Sequence, residues 1–221
     1  MHPVVIKIGG SLYPHVPSII TAVKESKRPC LIIAGGGAWA DRVRAKNLPD
    51  DTAHWMAVFA MEKYGRYISE YGVPVEQPDS HSLMIPSDQR VLLPYQYLHE
   101  VDSFPGALPH SWDVTSDSIS LFFAHRLSLP LLILKSIDRI RIDGKEASHI
   151  TSAMRSRTDD LDAFFLPYAH SLSVPITIVN GQYPERVFAA LCEKEVIGTK
   201  IATCTVGKLS KMNSMANKSE R

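Results

Sequence analysis

Two short glycine turns carry the clearest chemistry in this chain. "VVIKIGGS" sets Lys7 just ahead of Gly9 and Gly10, and "LIIAGGGA" sets Gly35, Gly36 and Gly37 behind a second apolar run. A strand that ends in glycines and feeds a helix leaves unpaired N–H groups at the helix start. Those amides, with the helix dipole, attract anions. Lys7 adds a full positive charge. Glycines also simply tighten turns, but two such turns in consecutive units point to phosphate. Neither is a GxxxxGK[ST] loop, and neither is a GxGxxG with a ribose-binding acid behind it. Two separate turns suggest two phosphate groups, one on a donor and one on an acceptor. Phosphoryl transfer needs that arrangement, because positioning and charge neutralisation supply most of its catalysis.

Two further stretches add charge. In "WDVTSDS", Ser116 or Asp117 suits the start of a helix, with Thr115 bonding the loop backbone. The competing reading aims Asp113 and Asp117 into a cleft, to hold lysines or to assist a metal-bound phosphate. In "LLILKSID", Lys135 closes an apolar strand at the end where ligand sites of open α/β sheets lie. A lysine there is also at home in solvent, and Asp138 is near enough to pair with it. Nine histidines form no HExxH-type cluster, so no metal site is expected. Cys30, Cys192 and Cys204 make no CxxC pair, which argues against zinc and redox chemistry and fits a reducing cytoplasm. Cys30 and Cys192 read as core thiols.

These residues need a scaffold. The chain has 221 residues, 45% of them hydrophobic, enough for one sizeable core. Net charge is +1 with acids and bases interspersed, so no basic stripe marks a nucleic-acid binder. No apolar run approaches a membrane span, and the N-terminus lacks a signal-peptide pattern. The pattern predicts strands over Val4–Ile8 and Cys30–Ala34, each followed by glycines and a helix, the first helix running Ser11 to Ser26. A parallel sheet with both glycine turns at one edge follows. A 3.6-residue apolar period predicts a long helix from Asp50 to Gly72. "VLLPYQYLHE" reads as a strand and its continuation, and a helix starts near Ser118. "LLILKSID" reads as a strand, and "SAMRSRTDDLDAFFLPYAHSLSV" contains a helix. "PITIVNGQYPERVFAAL" reads as strand, turn and helix, and "IGTKIATCTV" as a closing strand. Residues 1–204 are expected to form one domain and 205–221 a disordered tail.

The ordered set "VVIKIGGSL", "IIAGGGAWAD", "DVTSDSIS", "LLILKSIDRI" and "IVNGQYPERVFAAL" with "IGTKI" resembles the amino acid kinase superfamily. That resemblance implies a three-layer α/β/α sandwich around a mainly parallel sheet. It implies ATP and Mg2+, a small-molecule phosphate substrate, no nucleic acid, no membrane, a cytoplasmic location and a homo-oligomer. By resemblance, Lys7 neutralises the transferring group, Gly9, Gly10 and Ser11 line the ATP phosphates, and Gly35, Gly36 and Gly37 line the acceptor. Asp117 organises the lysines, and Lys135 with Asp138 faces the nucleotide. Many members carry a "GGM" segment with a second catalytic lysine. Here "SAMRSRTDD" has none, so Lys135, Lys145, Arg155 or Arg157 must replace it, and Lys135 is favoured. Its absence also leaves room for a non-catalytic nucleotide sensor or storage protein. "AHWMAVFAMEKYG" with "HSWDVTSDSIS" is most similar to short members linked to methanofuran biosynthesis, which act on a furan phosphate. A furan ring would then stack on Trp55, Trp112 or Trp39, its amine meeting Asp113 or another carboxylate, with His54 nearby. Isopentenyl phosphate, UMP or an amino-acid carboxylate are the alternative acceptors. The plainer reading makes Trp55 and Met56 a core helix face, and His54 a surface or capping residue.

Overall fold

The computed structural model describes residues 1–151 and 158–202. The chain opens with β1 (Val4–Ile8), a 3-10 turn (Gly10–His15), α1 (Val16–Ser26), β2 (Cys30–Ala34), α2 (Gly37–Arg44) and α3 (Asp50–Ser69). Then come β3 (Val75–Glu76), β4 (Gln89–Leu92), α4 (Tyr95–Val101), α5 (Ser116–Leu127) and β5 (Leu131–Lys135). The chain continues through β6 (Ile140–Ile142), β7 (Lys145–Ala147), β8 (His149–Ile150), α6 (Phe165–Ser171), β9 (Ile176–Asn180), α7 (Pro184–Leu191) and β10 (Gly198–Ile201).

Eight strands form one sheet in the order β3-β4-β2-β1-β5-β9-β10-β8. Every pairing is parallel except β9 with β10. β6 and β7 form a separate hairpin. Its tip, Asp143–Gly144, has φ of 49° and 79°, the primed turn that suits the twist of two-residue hairpins.

Strand alternation splits the core in two. Val4, Ile6 and Ile8 pack with α1 and α7, whereas Val5 packs with α4, α5 and α6. The α3 helix reaches both clusters, Val58 and Met61 in one and Tyr64 and Ile68 in the other. Helices thus cover both faces of the sheet, as expected for a sandwich of this class. Lys7 shares the parity of Val5, so it points toward α5 despite sitting in a buried strand. On β5, Leu131 and Ile133 belong to the α5 side, which gives Lys135 the same direction.

Two local expectations need correction. The helix expected over Ser11–Ser26 is a 3-10 turn followed by α1. Pro14 lies in the turn and Pro17 at the start of α1, where a missing N–H costs nothing. The residues after β4 do not extend the strand: α4 follows directly on Pro94. The "SAMRSR" part of the missing lysine segment, Cys204 and the expected tail lie outside the described residues.

Candidate active site at the carboxyl ends of β1, β2 and β5

Lys7 stands near the end of β1 and Lys135 at the end of β5. In register, Lys7 pairs with Ile133, so Lys135 lies two residues further, about 7 Å along the neighbouring strand. Asp117 enters from the first turn of α5 and fills the space between them. Its Oδ1 lies 2.7 Å from Lys7 Nζ, and Lys135 Nζ donates to its Oδ2 at 2.8 Å. Lys7 and Asp117 are each 4% exposed. Burial alone would raise the Asp117 pKa, but Lys7 and Lys135 outweigh it and hold the carboxyl at about 2. Burial lowers the Lys7 pKa, Asp117 opposes that, and Lys135 adds to the lowering. Two ammonium groups share the Asp117 carboxylate, and Asp162 adds a more distant attraction for the Lys7 proton.

Sequence reasoning missed the residue that fixes Asp117. The Asp162 carboxylate accepts from the Thr115 N–H at 3.0 Å, the Thr115 hydroxyl at 2.9 Å, the Ser118 N–H at 3.0 Å and the Ser118 hydroxyl. It therefore caps α5 across 44 or more residues of chain, satisfying amides that a helix start leaves open. Thr115 is the N-cap residue and makes no side-chain cap bond. Neither Ser116 nor Asp117 caps the helix, and Asp117 is left free to face the lysines. Burial and repulsion from Asp117 raise the Asp162 pKa, against the pull of its hydrogen bonds.

The two glycine turns meet. A Cβ on Gly10 would stand 2.4 Å from Gly37 Cα, so only glycine permits this approach. Gly37 also has φ of 52°. Not every turn amide is free. The Gly9 N–H donates to Leu134 and the Gly35 N–H to Ile8. Gly9 still matters for space, since a Cβ there would lie 3.1 Å from the Leu134 carbonyl oxygen. Ser11 and Ser136 share a hydroxyl hydrogen bond of 3.1 Å, joining the first turn to the loop after β5. Asp138 accepts from Asn180 at 2.8 Å and Arg186 at 2.7 Å rather than pairing with Lys135.

A cavity of about 510 Å³ opens beside the joined turns. Gly10, Ser11, Gly36 and Gly37 form one end, and Asp41, Arg44, His54, Met61, Trp112 and Ser116 are among its other walls. Gly35 is not on its wall. Trp112 is the tryptophan that lines it, with the Arg44 guanidinium 4.4 Å above its ring. Trp55 and Trp39 instead line a separate groove with Met56, Phe59 and Tyr95. Asp113 is exposed and off the cavity wall; its N–H donates to the Ser111 hydroxyl, and its carbonyl accepts from Phe164. His54 lies on the cavity side and stacks on His110 at 4.4 Å. Burial, then the His110 charge, pushes its pKa down to about 4, against Asp102 and Asp51. Lys145 is exposed in β7, away from Asp117. Arg155 and Arg157 lie outside the described residues.

No protein-family model matches the chain. It is 29% identical over 212 residues to [5-(aminomethyl)furan-3-yl]methyl phosphate kinase of Methanocaldococcus jannaschii, covering 89% of this chain and 96% of that one. Its fold matches UMP kinase from Ureaplasma parvum with a TM-score of 0.66 and 17% identity, over 91% of this chain and 99% of that one. Isopentenyl phosphate kinase matches with a TM-score of 0.62 and 14% identity, over 91% and 100%. These likenesses agree with the resemblance to the amino acid kinase superfamily read from the sequence, and the solved structures share its fold. The charged centre lies where the "DVTSDSIS" and "LLILK" stretches meet. Among the described residues, no helix is long and apolar enough to cross a membrane.

Proposed function

We propose that this chain is a kinase of the amino acid kinase superfamily, that it moves the γ-phosphoryl group of ATP onto a small phosphate monoester, and that the acceptor is [5-(aminomethyl)furan-3-yl]methyl phosphate. The observation that carries the reading is the Lys7–Asp117–Lys135 centre lying beside two abutting glycine turns. The named relative supports the choice of acceptor. So do the cavity walls: Asp41, Arg44 and His54 would be costly neighbours for a wholly apolar isoprenoid tail.

The acceptor phosphate sits at the Gly36–Gly37 start of α2, and the nucleotide lies on the Lys135 side. An acceptor phosphate oxygen attacks the γ-phosphorus in line. The bond to the β–γ bridging oxygen breaks, and ADP leaves with that oxygen. A phosphate monoester is already ionised near neutral pH, so no strong general base is required. Lys7 and Lys135 neutralise the charge spread over the equatorial oxygens. His54, held neutral, lies on the cavity wall as a hydrogen-bonding group for the acceptor.

The site residues do not fit a protein-held metal. Asp117 has both oxygens on ammonium groups, Asp138 is held by Asn180 and Arg186, and Asp160 pairs with Arg141 at 2.6 Å. No group of three metal-ligating side chains stands together among the described residues. Mg2+ would travel on the nucleotide phosphates, and no step above runs through it.

Phosphorus NMR of the protein with ATP and the furan phosphate tests the reading. Coupled diphosphate resonances should grow as ADP appears, faster than with isopentenyl phosphate or UMP. Binding of ATP without transfer to any of the three would contradict the reading and favour a nucleotide sensor.

A further inference from the structure

The cavity beside the glycine turns has two chemically different ends. At the Gly36–Gly37 end, the first-turn amides of α2 have no intrahelical acceptor and suit an anion. Further along the same helix, Gly37, Ala40, Asp41 and Arg44 all line the cavity. Their spacing of three, four and seven residues makes one face of the helix. Asp41 therefore lies one turn beyond Gly37, about 6 Å along the axis.

Asp41 is the sole carboxylate on that wall among the described residues. Its side chain makes no hydrogen bond and no ion pair there. Arg44, three residues on and able in principle to reach it, lies over the Trp112 ring instead. Each of the other acids near the site is committed or turned away. Asp117 holds the lysines, Asp162 caps α5, and Asp113 is exposed and off the wall. An unanswered carboxylate facing a cavity whose other end is built for an anion calls for a ligand with a cation at the far end.

Building on the acceptor reading above, we infer that Asp41 is the specificity residue that receives a primary ammonium on the acceptor. The acceptor class is then a zwitterionic phosphate monoester: phosphate on the α2 amides, a small flat body against Trp112, and an alkylammonium on Asp41. A five-membered ring with a one-carbon arm on either side bridges a gap of that size. The ammonium contributes binding and orientation and takes no part in bond making.

The test compares [5-(aminomethyl)furan-3-yl]methyl phosphate with its 5-hydroxymethyl counterpart, which keeps the shape and loses the charge. Wild-type protein should prefer the amine by about fivefold in kcat/KM, the upper range for an ion pair on an exposed carboxylate. In Asp41→Asn, that preference should fall to about twofold or less, through a raised KM for the amine with kcat little changed. Turnover of the hydroxymethyl compound should stay within about threefold, which a merely structural role for Asp41 would not produce. Asp41 is exposed, so melting temperature should be unchanged; Asp41→Glu, keeping the charge, should restore part of the preference. An Asp41→Asn protein that keeps the wild-type preference, or loses both substrates equally, overturns the inference alone. Wild-type protein that phosphorylates neither compound overturns the acceptor reading and this inference with it.

Discussion

At the ends of β1 and β5, Asp117 lies within 2.8 Å of both lysines, and its backbone turn is pinned by four hydrogen bonds to Asp162. A short distance away, on the cavity wall, Asp41 and Arg44 do not pair with each other although they share a helix face. The first region is buried and closed on itself, with its partners fixed by strand register and helix capping. The second is open and leaves charge unanswered. The contrast separates two tasks. A buried, over-determined centre fixes geometry for a transition state that differs little from one acceptor to another. A loosely paired wall leaves room for the acceptor to complete the set.

If that division holds, damage to the centre should lower kcat and damage to the wall should raise KM. Lys7→Ala has the largest expected effect: kcat down by about 10³-fold in an ADP-release assay, with far-UV circular dichroism unchanged. Asp117→Asn comes next. It leaves two ammonium groups without a carboxylate, so stability should fall by about 3–5 kcal/mol in urea titrations. It also removes the main attraction that holds the Lys7 proton, so the alkaline limb of the kcat–pH profile should shift to lower pH.

Asp162→Asn should cost about 1–3 kcal/mol by leaving buried donors at the α5 start underpaired. It should also lower kcat more than it raises KM, because Asp117 loses its anchor. The two tryptophans then separate wall from groove. Trp112→Ala should raise the acceptor KM by about tenfold, whereas Trp55→Ala, facing the other groove, should leave KM within about twofold and instead reduce thermal stability.

The smallest effect concerns His54. Its native pKa of about 4 is below the ordinary value, so between pH 6.5 and 4 the unfolded chain binds a proton that the native state refuses. Stability should therefore drop as pH falls through that window. His54→Gln should flatten that part of the profile, read from urea midpoints at pH 4.5 and 7. The depressed Asp117 adds its own loss only lower, between pH 4 and 2.

Much of the centre was legible in the residues because it follows local rules. Strand parity aims Lys7 and Lys135 the same way, and a glycine run after a strand marks each turn. The contact between Gly10 and Gly37 was not, since it depends on how two βα units sit side by side. Asp162 could not be read either. The "TDDLDAFF" run shows an acidic cluster ahead of a helix, but nothing local says that one of its acids caps a helix more than forty residues upstream. The tryptophans show the same limit. Trp55 and Trp112 looked alike as ring partners, and only the packing of α3 against α2 assigns them to different hollows. Pro94 was a signal that went unused: the residues after it turn helical at once, while a strand would have needed the N–H it lacks.

The most direct measurement is a crystal structure with a non-hydrolysable ATP analogue and the furan phosphate bound together. The account predicts the terminal nucleotide phosphate and the acceptor phosphate facing one another over the Gly10–Gly37 contact, both within hydrogen-bond reach of the Lys7 ammonium. Phosphates bound on separate faces, with Lys7 still held by Asp117 alone, would contradict it.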